Sequence, residues 1–383
     1  MDKPTVQDIF HRFYPAYLDQ YSPSPVQAKV AHNIMNCKTG AYGANVCVCE
    51  DCGFVQIHYN SCRNRCCPMC QAVPKEMWMD ARREDVLDAP YFHLVFTVPD
   101  ILNPVIYSNQ RLLYDALYHA ASSTISELTA DPKHLGAKVG YICILHTWGS
   151  EMNFHPHIHT ILLGGGLASN NQWKDNGENF FLPIRVISKM FRGKYLEELK
   201  RLWEEDKLVF HGTAEKFRNH YTFKELLDSC YGMDWIPHCK KTFNGAQTVI
   251  KYLGKYTHRI AVSNHRIVRM DDDTVTFLVK DYRNEGQWKE LTISGVEFVR
   301  RFLMHVPPRR FVRIRHYGLL CSRTKSQKLT LCRNLLGCKK YLSKLRDMEM
   351  PEILEHLYGI KVFVCKACGG HLGKPQMRMP LRC

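Results

Sequence analysis

Apolar positions change their period along the chain, and the changes mark out its elements. Val6, Ile9, Phe10 and Phe13 recur at helical spacing, and Val26, Val30 and Ile34 do so again after Pro23 and Pro25. Residues 1 to about 36 are therefore predicted helical. Residues 75 to 90 read as a further helix leading into PYFHLVFTVPD. There a period of two places Leu94, Phe96 and Val98 on one face and His93, Val95 and Thr97 on the other. Leu112, Leu113, Ala116, Leu117 and Ala120 supply the stripe of a helix from about 109 to 128. VGYICILHTWG predicts a second strand, and FHPHIHTILLGGG (residues 154 to 166) a third, ending in a turn at its glycines. A short connection between these two strands makes them an antiparallel pair. Residues 184 to 210, rich in Lys, Glu and Leu, predict another helix, and no internal repeat is visible. The sum is an α+β fold around an antiparallel sheet.

Composition narrows the class. At 383 residues the chain is long enough for two or three domains. No apolar run approaches the roughly 18–20 residues of a membrane span. MDKPTVQDIFHRFYPAY lacks the basic-then-apolar layout of a secretion signal. A cytoplasmic location is expected, where the 17 cysteines stay reduced and bind metal rather than pairing as disulfides. The formal charge of +15 points to a polyanionic partner.

Three stretches carry candidate chemistry. Alternation in FHPHIHT sets His155, His157 and His159 on one strand face, with His157 and His159 within about 7 Å of each other. Neutral imidazoles held at that spacing chelate a divalent metal. The plainer reading is a polar face of hydrogen-bonded histidines. Between residues 37 and 70 lie Cys37, Cys47, Cys49, Cys52, Cys62, Cys66, Cys67 and Cys70. Cys49-x-x-Cys52 and Cys67-x-x-Cys70 are two knuckles whose four thiolates satisfy tetrahedral zinc. Cys37, Cys47, Cys62 and Cys66 are candidates for a second site or buried thiols. Tyr59, Asn60, Arg63, Asn64 and Arg65 lie on the loop between the knuckles, where they could touch DNA or simply be solvated. The third stretch is AQTVIKYLGKYTHRIAVSNHR, in which Tyr252 and Tyr256 share a helix face. Such a pair ordinarily packs. Beside a metal chelate and cations it becomes a pair of candidate nucleophiles, since a phenol with pKa near 10 needs that assistance.

The C-terminal third is basic. From residue 300 to 346 there are 14 Lys or Arg and no Asp or Glu, with Phe302, Phe311, His316, Tyr317 and Tyr341 interleaved. Cations for phosphates and rings for unstacked bases suit single-stranded nucleic acid. Arg309, Arg310, Arg313 and Arg315 are the candidate phosphate contacts. Cys365-x-x-Cys368 is half a zinc site, to be completed by His371 and Cys383 or by Cys321, Cys332 and Cys338.

These motifs together resemble a known family. FHPHIHTILLGGGL resembles the histidine–hydrophobe–histidine motif of HUH endonucleases, and YLGKYTHRIAVSN the two-tyrosine helix of the rolling-circle, IS91-like insertion-sequence transposases. YNSCRNRCCPMCQ is similar to their N-terminal zinc-binding domain, and DYRNEGQWKELTISGVEFVRRFLMHVPPRRFVRIRHYGLL to their downstream region. The likeness runs in the same order from about residue 37 to 320. Where the family commonly carries histidines near the two knuckles, this chain has Cys66 and Asn45.

The resemblance implies an RRM/ferredoxin-like antiparallel sheet as nuclease domain (residues 86–270). A helical and cysteine-rich zinc-binding domain (1–85) would precede it, and a basic DNA-binding region (271–383) would follow. It implies His157 and His159 as ligands of a catalytic Mg²⁺ or Mn²⁺, with His155, then His93 and Glu151, as candidates for a third. Tyr252 and Tyr256 would be the nucleophiles that join the enzyme to a 5′ DNA end, and structural Zn²⁺ would sit on the cysteines. Single-stranded DNA at element ends and target would be the partner, in the nucleoid of a prokaryote. Two other classes share parts of this pattern. A replication initiator or relaxase uses the same chemistry, and a zinc-dependent DNA-binding protein uses none.

Overall fold

The computed structural model describes residues 3–175, 182–235, 237–243, 248–249, 254, 261–281 and 285–378. Helices α1 (Val6–Gln20) and α2 (Pro25–Met35) each begin at a capping box. Thr5 and Ser24 accept from the amides of Asp8 and Gln27, whose side chains return to the cap amides. A hairpin of β1 (Ala44–Val48) and β2 (Val55–Tyr59) and a helix α3 (Ala72–Arg83) follow. The middle of the chain supplies β3 (Tyr91–Thr97), α4 (Asn103–Ser108), α5 (Gln110–Ala130), β4 (Lys138–Trp148), β5 (Phe154–Leu167), β6 (Trp173–Asp175), α6 (Ile184–Glu204), α7 (His220–Gly232) and β7 (His238–Phe243). Last come β8 (Ile267–Met270), β9 (Thr274–Asp281), β10 (Gln287–Ser294), α8 (Gly295–Met304), β11 (Ile314–Gly318), α9 (Lys325–Leu336), α10 (Met350–Tyr358) and β12 (Gln376–Arg378).

An antiparallel sheet in the order β11-β4-β5-β3-β7, with β6 pairing β5, forms the centre. The alternation in β3, β4 and β5 decides what each face meets. Leu94, Phe96, Tyr141, Cys143, Leu145, Ile158 and Leu162 share a core with Leu113, Leu117 and Ala121 of α5 and with Phe191 and Tyr195 of α6. On the opposite face Tyr91, Ile142, Ile144, Ile161 and Leu163 pack with Met79 of α3, Leu329 and Cys332 of α9, and Val249. Both faces are covered, which is why these strands read as nearly unbroken apolar runs.

One sequence expectation is corrected here. The glycines at the end of β5 do not end the strand, which runs to Leu167 and pairs with β4 and β6. A Cβ on Gly165 would run into the Trp173 ring, and one on Gly166 into the Lys138 carbonyl, so glycine admits close neighbours rather than a turn. Packing also joins segments on either side of residues 85 and 270. Ile9, Phe10 and Phe13 of α1 share one core with Phe277 of β9, Phe298 and Phe302 of α8, Cys37 and Cys67. Moreover β11 is an edge strand of the central sheet, and β12 pairs with β1. The basic C-terminal stretch is thus built into the bodies that precede it. Among the described residues no helix is long and apolar enough to cross a membrane.

Candidate functional site

Strand register builds a histidine cluster. In the β4–β5 pair His146 lies opposite His157 and Ile144 opposite His159, so all three imidazoles project from the face that carries Ile142 and Ile161. Their ligand nitrogens lie within 4.8 Å of one another. The Nε2 atoms of His157 and His159 are 3.1 Å apart. Two nitrogens at about 2.1 Å from one shared ion stand roughly 3.0–3.4 Å apart, so the spacing fits joint ligation. His157 Nδ1 contacts the His155 carbonyl at 2.7 Å, and a carbonyl only accepts, so the proton sits on Nδ1 and Nε2 presents its lone pair. His159 Nδ1 is 2.9 Å from His93 Nε2, which orients that ring as an outer partner orients a ligand. His146 stacks on Trp148, with ring centroids 4.5 Å apart.

All three rings are buried. Burial, with His155 nearby, pushes the His157 pKa down to about 4. Burial and the surrounding imidazoles hold that of His159 well below its ordinary value. Both are neutral at pH 7, the state that binds metal. A donor set of three imidazole nitrogens fits a divalent ion, and it favours Mn²⁺ or Zn²⁺ over the oxygen-seeking Mg²⁺.

The third member was not among those expected. The His155 side chain turns to Asp100, 3.3 Å away, and is a third exposed. His93 stands behind His159, and the Glu151 carboxylate lies 3.9 Å from Lys289. The signal for His146 was present nonetheless. A tight antiparallel connection after HTWG brings His146 level with His157, and its parity with Ile142 and Ile144 sets its face. Tyr252 and Tyr256 lie outside the described residues. Within the same stretch, Val249 is buried in the cluster with Ile142, Ile144 and Ile161. Gly254 is helical and approaches Met79 and Lys75 of α3 so closely that a Cβ would collide with Met79.

The cysteines form two tetrads, Cys37–Cys62–Cys67–Cys70 and Cys49–Cys52–Cys365–Cys368. The expected pairing of the two N-terminal knuckles in one site is corrected. β1 and β2 carry Cys49 and Cys52 to the far end of the hairpin, while Cys67 and Cys70 stay beside α2 and Cys37. In the first tetrad the Sγ of Cys70 is 3.2 Å from that of Cys37 and 3.5 Å from that of Cys62. Cys66 is buried outside both groups, and burial pushes its thiol pKa up, the neutral form that makes a poor ligand. Asn45 hydrogen-bonds Asn60 at 3.0 Å.

The four arginines separate into two pairs. Arg309 and Arg310 are exposed and flank a groove lined by Val26, Lys29, Arg65 and Val306. Arg313 and Arg315 are half-buried. Both sit next to or on the edge strand β11, where the Arg313 carbonyl accepts from Leu145 at 2.9 Å. Arg315 pairs with Asp115 and lies 3.9 Å over the Tyr118 ring. Arg65 donates to the carbonyls of Phe311 at 2.6 Å and Pro308 at 3.3 Å, so this member of the knuckle loop braces the chain.

An antiparallel α+β sheet with a buried imidazole cluster, attached to cysteine tetrads, defines a metal-binding protein of mixed architecture. Residues 9–98 match the family described as "Transposase zinc-binding domain", and residues 140–328 the family described as "Putative transposase". The chain is 40% identical over 369 residues to "Putative transposase y4qJ" of Sinorhizobium fredii, covering 95% of this chain and 93% of that protein. It is 28% identical over 364 residues to the transposase for insertion sequence element IS801 of Pseudomonas savastanoi pv. phaseolicola, covering 91% and 83%. The chain belongs to the IS91 family of transposases. A metal-bound structure of the conjugative relaxase TrwC with OriT DNA overlaps 29% of this chain and 43% of that one. Its identity is 17% and its TM-score 0.22, too slight a likeness to carry weight.

Proposed function

We propose that this transposase works as an HUH-type enzyme, cutting single-stranded DNA with a tyrosine and rejoining strands in rolling-circle transposition. The observation that carries the reading is the convergence of three buried imidazoles, His146, His157 and His159, on one strand face. They would hold a divalent ion, Mn²⁺ in preference to Mg²⁺, which would supply polarisation of the scissile phosphate and neutralise charge that develops there.

The chain's own part in the step is nucleophilic. The Oη of Tyr252 or Tyr256 gives up its proton to solvent and bonds to phosphorus as the bond from phosphorus to the 3′ oxygen breaks. The departing oxygen takes a proton and becomes a 3′ hydroxyl, and the 5′ phosphate remains on the tyrosine. The ester keeps the bond energy, so another 3′ hydroxyl reverses the step and joins strands without ATP. Two tyrosines permit two such linkages. Val249 and Gly254 support their placement, because both tie that stretch to the side of the sheet that carries the histidines.

Cys37, Cys62, Cys67 and Cys70 are proposed to hold a structural Zn²⁺, and all four lie inside the zinc-binding match. Arg309 and Arg310, exposed beside Lys29, are proposed to meet phosphates. The test uses a labelled single strand from an element end, incubated with protein and Mn²⁺. A covalent adduct that resists boiling in detergent, absent on chelation and in His157→Ala, is the expected result. Tight DNA binding with neither adduct nor cleavage would leave a DNA-binding protein without this chemistry.

A further inference from the structure

The second cysteine tetrad draws on both ends of the chain. Cys49 and Cys52 come from the β1–β2 hairpin, and Cys365 and Cys368 from the tail after α10. The zinc-binding match ends at residue 98 and the transposase match at 328, so neither contains the whole group.

The two halves are the same device used twice. Each is Cys-x-x-Cys-Gly, Cys49 to Gly53 and Cys365 to Gly369, with glycine φ of +70° and +77°. These left-handed values favour glycine. In each turn the glycine amide donates to the carbonyl of the first cysteine at 3.0 Å. Backbone amides are aimed at the sulfurs. Ala367 N–H meets Cys365 Sγ and Gly370 N–H meets Cys368 Sγ, both at 3.4 Å, and the Phe54 amide serves Cys52.

Across the halves Cys49 Sγ lies 3.5 Å from Cys368 Sγ, and Cys52 Sγ lies 3.8 Å from Cys365 Sγ. Four sulfurs at about 2.3 Å from a tetrahedral zinc stand roughly 3.8 Å apart. The tail is docked on the hairpin as well. Glu50 N–H donates to the His371 carbonyl at 3.0 Å, Gly373 N–H to the Val48 carbonyl at 2.9 Å, and His371 N–H to Asp51 at 3.1 Å. β12 pairs with β1 through Ala44 and Arg378, Asn45 and Met377, and Val46 and Gln376. The apolar filling between these pieces is small, with Cys47 and Leu372 buried beside Cys49 and Cys365. So little core leaves the metal as the main cohesive element, as in other small metal-dependent folds.

We propose that Cys49, Cys52, Cys365 and Cys368 bind a second Zn²⁺, a clasp that fastens the C-terminal tail to the N-terminal hairpin and closes the chain on itself. Four thiols give up their protons as the ion binds, and no oxidation is involved. The completions expected from the sequence, His371 and Cys383 or Cys321, Cys332 and Cys338, are not needed, since the hairpin supplies the other half.

The full chain, purified without chelator, is the sample for native mass spectrometry, with elemental analysis for zinc and iron and with amide hydrogen exchange. Two Zn²⁺ per chain are expected on the cysteines, counted in a His157→Ala/His159→Ala background so that the histidine cluster contributes none. In that background the double variant Cys365→Ser/Cys368→Ser should carry one Zn²⁺ and keep slow exchange in β3, β4 and β5, while residues 361–378 and β1 exchange much faster. A single zinc with all the cysteines intact would overturn the proposal, as would iron in the second position. So would a double variant that retains two zincs, or disulfides among these cysteines on alkylation of the unfolded protein. None of these outcomes depends on whether the chain cuts DNA, so the clasp stands or falls apart from the nuclease reading.

Discussion

His157 and His159 turn their Nε2 atoms toward each other at 3.1 Å while their Nδ1 atoms are held from behind, by the His155 carbonyl and by His93. Two imidazole lone pairs at that distance repel unless a proton or a cation lies between them. The backing contacts fix the rings so that neither can turn away. That geometry, with His146 on the neighbouring strand, is what the proposed chelate rests on.

The ligand set makes the first prediction. Each of His146→Ala, His157→Ala and His159→Ala should weaken Mn²⁺ binding, read by titration calorimetry, at least tenfold and abolish nicking. His155→Ala should stay within a few-fold of wild type, because that side chain faces Asp100. DNA affinity should barely change in any of them, since it is mostly electrostatic. Wild-type Mn²⁺ affinity in His146→Ala would restore the sequence-based choice of His155.

His93 tests the support behind the chelate. Removing an outer partner of a metal-bound histidine typically costs about 10–100-fold in metal affinity. His93→Phe keeps a ring but cannot hydrogen-bond His159, and it should show a loss of that size with an unchanged far-UV spectrum. An undiminished affinity would mean that packing alone orients His159.

Two arginine pairs should behave differently. Arg309→Ala/Arg310→Ala should leave thermal stability unchanged and lower the salt dependence of DNA binding by about 1 for each phosphate no longer neutralised. Arg315→Ala should instead destabilise the fold by about 1–3 kcal/mol, because it removes the ion pair with Asp115 and the stacking on Tyr118. Equal effects on the salt slope from both pairs would contradict the division.

Acid should loosen the protein through buried imidazoles. His305 is enclosed between Thr147 and the Met152 carbonyl, and burial pushes its pKa from 6.5 down to about 4. An unfolded chain takes up that proton near pH 6.5, whereas the folded one refuses it until about pH 4. Stability is therefore complete above pH 6.5 and declines as pH falls through that window, by on the order of 3 kcal/mol for this group. Denaturant melts at pH 7, 5.5 and 4.5 should follow that decline, with a shallower one in His305→Gln. An identical slope in the variant would assign the acid sensitivity to other groups.

Local pattern carried most of the elements. The 3.6-residue stripe of α1 and α5 and the alternation in β3 could be read directly, because one residue's environment there is set by its near neighbours. Family resemblance supplied the chemistry that pattern alone left open. What escaped was pairing between distant segments. Cys49 and Cys365 share a site across more than 300 positions, and no local spacing encodes that proximity. Arg315 shows the same limit. Its run reads as a nucleic-acid contact, and no local spacing shows that the strand it sits on closes an edge of the central sheet beside β4. His146 fell between these cases: its parity with Ile142 and Ile144 could be read from sequence, but its register with His157 depends on an irregularity between His146 and Trp148.

The tyrosines decide whether the chelate serves strand cleavage. Tyr252→Phe and Tyr256→Phe keep both rings and their packing, so each variant should fold and bind Mn²⁺ like wild type. Each single variant should retain nicking through its neighbour but fail in complete transposition. The measurement is peptide mapping by mass spectrometry of the adduct trapped on a single-stranded element end. The prediction is a 5′-phosphotyrosine at Tyr252 or Tyr256 in the wild type and no adduct in the double variant. An adduct that persists in the double variant, or one mapped to Tyr282 or Tyr317, would contradict it.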